Sequence, residues 1–119
     1  MLETKCWAGH TIYPNTKMDE HRMSALVKRY GTSRIIVNSA ADWGISDPLK
    51  VPKTIDVMCS EGIPEDAIRT IVWHNPQAFF GQSGRFDIAD VEPPAIDRTQ
   101  LFESNSVLRG ERVTAPAGR

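Results

Sequence analysis

Apolar positions fall into two short runs separated by one amphipathic stretch, an order that predicts strand, helix, strand. Cys6–Tyr13 (CWAGHTIY) is a mixed apolar run rich in strand formers, closed by Pro14-Asn15. Thr16, with Asp19 three positions later, reads as a capping box for the next helix. In that helix Met23, Leu26, Val27 and Tyr30 fall at i, i+3, i+4 and i+7, one apolar stripe. Asp19, Glu20, Arg22, Lys28 and Arg29 largely cover its other faces, and Gly31 stands where a C-terminal cap belongs. Arg34–Asn38 (RIIVN) is then a run of consecutive β-branched residues. A strand apolar on both faces is what a parallel sheet buried between two layers requires. Together the three segments form a βαβ unit, with parallel strands and a right-handed crossover.

Beyond it lies an irregular loop, Ser39 to Lys50 (SAADWGISDPLK). Pro52 sits in the first turn of a second helix, with Val51, Ile55 and Met58 on one side and Gly62 ending it. Pro64-Glu65-Asp66 opens a third, carrying Ala67, Ile68, Ile71 and Val72. Asn75-Pro76 is expected to break that helix and cap a last short turn, Gln77 to Phe80. Trp7, Trp73, Phe79 and Phe80 read as core. Residues 1–85 thus form a βαβα portion. From about residue 86 the periodicity fades, and 86–119 reads as a C-terminal extension, partly disordered unless something holds it.

Two strands are too few for a parallel sheet, which is normally large and covered on both faces. The chain is therefore expected to be part of a larger α/β architecture, either a fragment or one piece of an assembly. Composition does not alter this picture but narrows the partners. Fourteen Lys and Arg against fifteen Asp and Glu give a formal charge of −1 over 119 residues. That balance offers neither a basic stripe for nucleic acid nor a polybasic membrane patch. No apolar stretch approaches the roughly 20 residues that span a bilayer. The N-terminal residues lack signal-peptide order, so a cytoplasmic location is the expectation. Cys6 and Cys59 are 53 positions apart, outside any CxxC pattern, which excludes a disulfide framework.

In α/β folds the chemistry sits beyond the carboxyl ends of the strands. Here that means 13–16 after the first strand and 39–47 after the second. Asp42 lies just past the apolar strand, where a carboxylate either serves a metal centre or bonds its own backbone as a turn residue. Asp47 precedes Pro48, an ordinary turn signal. His10, in the first strand, either approaches the Asp42 strand or is a satisfied core histidine. Trp43 either walls a pocket or packs its loop. His74 stands at the end of a helix, where the dipole favours it. The chain holds no HxH, HExxH, GxSxG or GxGxxG pattern.

The linked segments WAGHTIYP, RIIVNSAADWGISDPLKVPK and EDAIRTIVWHNPQAFFG, with the later LFESNSVLRG, resemble the last part of TatD-like metal-dependent hydrolases. These belong to the amidohydrolase superfamily of TIM barrels, and the resemblance spans roughly residues 5 to 110. It implies an α/β fold, the C-terminal fragment of a (β/α)8 TIM barrel with about its last two strands and their helices. Asp42 would be the eighth-strand aspartate, both metal ligand and catalytic proton acceptor, with Asp47 as the fallback. Trp43 and His10 would contact substrate. The implied cofactor is a divalent metal ion (Zn, Mn or Mg), held only within a complete barrel. The implied partners are a small-molecule substrate and the remainder of the barrel, from the same gene or a separate polypeptide. The family's HxH pair, its middle-strand carboxylate and its further histidines have no counterpart here.

Overall fold

The computed structural model describes residues 4–13, 18–39, 47–86 and 95–99. Strand β1 (Ala8–Thr11) and strand β2 (Ile35–Asn38) form a two-stranded parallel sheet, with Ala8 opposite Ile35 and Thr11 opposite Asn38. Helix α1 (Glu20–Tyr30) joins them. After β2 come α2 (Lys50–Ser60) and a third helical rod. That rod comprises α3 (Glu65–Arg69), a π turn (Thr70–His74) and α4 (Asn75–Gly81). The βαβ unit is as expected, with both strands shorter than the apolar runs that encode them. These elements make a small mixed α/β arrangement with a two-stranded parallel sheet.

Helices α1 and α2 and the first part of the last rod lie against one face of the sheet. Ile12, Ile35 and Val37 pack in a single apolar cluster with Met23 and Val27 of α1, Met58 of α2, and Ile63, Ile68 and Ile71. Met23, Met58 and Ile71 are wholly shielded from solvent, each burial favouring the fold by about 2 kcal/mol. The opposite sheet face carries Gly9, Thr11, Ile36 and Asn38, of which Gly9 and Asn38 are exposed.

Four local expectations change. The α1 cap is Asp19, whose Oδ1 accepts from the Arg22 N–H at 2.8 Å. Thr16, the other half of the expected capping box, lies outside the described residues. The apolar stripe of α1 stops short of Tyr30, which is 49% exposed, and the fully buried position beside Met23 is Ser24. Phe79 and Phe80 are exposed rather than core. They form an aromatic chain, with Trp7 edge-on to Phe79 and Phe80 beside Phe86.

The helix does not break at Asn75-Pro76. Pro76 has no N–H to return to the preceding turn, and its ring needs room there. The π turn supplies that room: Asn75 N–H reaches back five residues to the Thr70 carbonyl, and the rod continues with helical dihedrals. Consequently His74 is mid-rod and meets no helix C-terminus. Asn75 ties the rod to β2, its Nδ2 donating to the carbonyls of Thr32 (2.7 Å) and Ile35 (2.8 Å).

Candidate functional site

Parallel pairing brings the carboxyl ends of β1 and β2 side by side, and the N-termini of α1 and α2 lie at that same end. Ile12 N–H donates to the Asn38 carbonyl at 2.8 Å, extending the ladder one residue beyond β1. Tyr13 N–H donates to the Met18 carbonyl at 2.9 Å, closing the β1–α1 connection.

Two ion pairs at this end tie down the starts of the helices. Lys50 Nζ, at the start of α2, meets Glu20 Oε1, at the start of α1, at 2.6 Å. Lys53 Nζ meets Asp47 Oδ2 at 2.6 Å. All four side chains are less than one-fifth exposed, so salt screens these pairs less than ordinary surface pairs. Asp47 also accepts the Leu49 N–H through Oδ1 at 2.8 Å, while its carbonyl accepts from Lys50 N–H at 3.2 Å. Asp47 therefore fixes where the chain turns into α2. Asp47 preceding Lys50 and Lys53 at i+3 and i+6 was the available sequence signal for this.

His10 stands opposite Val37 in the register. Alternation puts it with Ala8 and Ile12, on the sheet face that the helices cover, rather than with Gly9 and Thr11. The ring is partly buried, which lowers its pKa below the ordinary histidine value. Asp42 and Trp43 lie outside the described residues. Described structure thus places His10 and the two flanks of the Asp42 segment, ending at Ser39 and resuming at Asp47.

A second polar cluster joins residues far apart in sequence. Glu61, just after α2, accepts from the Ser24 hydroxyl (2.5 Å) and from His21 Nδ1 (2.6 Å), with Lys28 Nζ at 3.5 Å. Ser24 and His21, with Lys28 as a further positive charge, hold the Glu61 carboxyl down at about 2. Its bond to Glu61 raises the His21 pKa. Ser24 bonds the carboxylate and not the imidazole, so this is no nucleophile–base pair. It is a clasp between α1 and the α2–α3 turn. The spacing of His21, Ser24 and Lys28 on one helical face was its only sequence sign, since Glu61 is 37 residues from Ser24.

Among the described residues no three of His, Cys, Asp or Glu converge as a metal site, and no helix is long and apolar enough to cross a membrane. Cys6 and Cys59 are free and exposed. No protein-family model, curated protein or solved structure matches the chain.

Proposed function

We propose that this chain is the C-terminal portion of a TatD-like metal-dependent hydrolase, whose barrel is completed by further strands. The reaction class is hydrolysis of an ester, phosphoester or amide bond by a metal-activated water. The observation that supports it best is the β1–α1–β2 unit, with α1, α2 and the first part of the last rod packed on one face of the sheet. Such a half-covered parallel pair is the repeating element from which a (β/α)8 barrel is closed. The segment after β2 is the part of the chain in which the family resemblance puts its aspartate, here Asp42. In this reading Asp42 is metal ligand and proton acceptor, and Trp43 and His10 serve the substrate.

The described residues do not by themselves fit a divalent ion, because catalytic zinc takes three protein ligands. The remaining ligands are therefore assigned to the rest of the barrel. The test is an Asp42→Asn substitution in the assembled protein, assayed against chromogenic ester, phosphodiester and amide substrates. The reading predicts that whichever hydrolysis the wild type shows is lost. Unchanged turnover in the variant would remove Asp42 from the chemistry.

A second reading is a non-catalytic piece that completes an assembly, and the exposed edge of β1 favours it. Absence of all three activities from an assembled, metal-replete wild-type protein would select it.

A further inference from the structure

The extension that begins at residue 86 does not leave the domain at once. Gly84, at φ 68°, closes the last rod with a left-handed residue, and Arg85 N–H donates to Ser83 Oγ at 3.2 Å. This turn sets the Phe86 ring against Phe80, with 6.1 Å between centroids. The first apolar side chain of the extension therefore joins the end of the aromatic row formed by Trp7, Phe79 and Phe80.

A second contact comes later in the extension. Arg98 Nη1 meets Asp56 Oδ1 of α2 at 3.3 Å. Beside it Asp97 Oδ1 accepts from the Thr99 N–H at 3.0 Å and from the Thr99 hydroxyl at 2.6 Å, a compact local turn. The extension is thus brought back to the domain just before Leu101-Phe102. Meanwhile the aromatic row stays open to water: Phe79 and Phe86 are each 38% exposed and Phe80 54%. A contiguous exposed row of phenyl rings favours an apolar cover.

We infer that this row is the seat of the chain's own C-terminal extension, with Leu101-Phe102 and Val107-Leu108 as the side chains that cover it. Residues 101–108 lie outside the described part, and the two described contacts are what commit the row to them. The extension already starts on the row at Phe86, and it is returned to α2, the neighbour of the rod that carries the row. Counted from Arg98, Leu108 reaches up to roughly 35 Å. Packed helices lie about 8–10 Å apart, and the row stands about 22 Å along the rod from Glu65, so the row is within range. A second copy or a foreign partner making the same contacts competes against a tethered segment whose effective concentration is on the order of millimolar. The inference does not rest on the hydrolase reading.

The test uses the full 119-residue chain. Cys6 is exposed and immediately precedes Trp7, so in a Cys59→Ser background a nitroxide on Cys6 marks the row. With the label oxidised, the amide NMR signals of residues 101–108 are expected to be lost and to return when it is reduced, while those of 115–119 persist. Leu101→Asp with Phe102→Asp, and separately Phe80→Asp, are expected to restore the signals with the label still oxidised.

Signals of 101–108 that persist beside the oxidised label in the unsubstituted extension overturn the inference. So does a loss that survives both variants, because proximity would then not depend on apolar contact with the row. Loss in a mixed sample, with the nitroxide on one copy and the isotope on the other, overturns the intramolecular seat in favour of a second copy. The Ile35 and Met58 amides, read with the label reduced, report the fold of each variant. Should Phe80→Asp shift them, the Leu101 and Phe102 variant, which alters no described residue, decides.

Discussion

Replacing Asn75 with alanine removes both hydrogen bonds by which the last helical rod grips the start of β2. The acceptors are main-chain carbonyls of Thr32 and Ile35, and the Ile35 side chain is wholly buried. A neutral hydrogen bond contributes about 1 kcal/mol, and a buried carbonyl left without a donor costs more. Two such bonds therefore give a loss of about 2 kcal/mol, or roughly 8 °C in Tm for a chain of this size. Urea denaturation monitored by far-UV circular dichroism is the assay. The midpoint should fall without a change in slope, since the same surface is exposed on unfolding. Asn75→Asp sharpens the test. It keeps the shape of the side chain but aims a carboxylate, which only accepts, at two carbonyls. If donation is what Asn75 contributes, the aspartate variant will be at least as unstable as the alanine variant. An aspartate variant close to wild type would mean the residue matters for its shape. An alanine variant within about 0.5 kcal/mol of wild type, the spread of ordinary surface substitutions, would refute the clamp altogether.

Two further outcomes rest on the polar clusters. The Glu61 carboxyl lies near 2 in the folded chain, so its contribution is present above its unfolded value of about 4.5 and is lost as pH falls toward 2. His21 is raised above 6.5, so its contribution is present below that value and fades as pH rises through the folded pKa. The urea midpoint should therefore plateau between these limits, and Glu61→Gln should flatten both limbs; an unaltered profile would contradict the clasp. Asp47→Ala should cost about 1 kcal/mol through loss of the Leu49 and Lys53 contacts, a change that thermal unfolding would detect.

The elements were legible where local pattern decides them. β-branched residues at Ile35–Val37, the α1 stripe through Met23 and Val27, and Gly31 at the helix end each encode their structure within a few residues. Gly31 has φ 78°, a region that residues with a side chain rarely occupy. Asn75-Pro76 misled because proline is a breaker only when its missing N–H and its ring are left unaccommodated. The widening that accommodates them is set by packing of Ile71 and by the Asn75 bonds to residues 40 and 43 positions away. Exposure of Phe79 and Phe80 was equally invisible, because hydrophobicity tells what a residue favours and not which faces the chain can cover. Of the candidate site, the strand ends and His10 were placed by the βαβ pattern. The roles of Glu20, Lys50 and Lys53 were not, since an ion pair between two helix starts depends on tertiary register. Asp42 and Trp43 follow from strand position and family resemblance alone, and the described residues reach only their flanks.

Metal content tests most directly whether Asp42 completes a metal centre in an assembled barrel. The assembled protein, wild type and Asp42→Asn, is loaded with Zn, Mn or Mg, passed through gel filtration and measured by inductively coupled plasma mass spectrometry. The predicted result is stoichiometric retention of one of these ions by the wild type and a marked loss in the variant, with both proteins equally folded by near-UV circular dichroism. Equal retention by the two would contradict it.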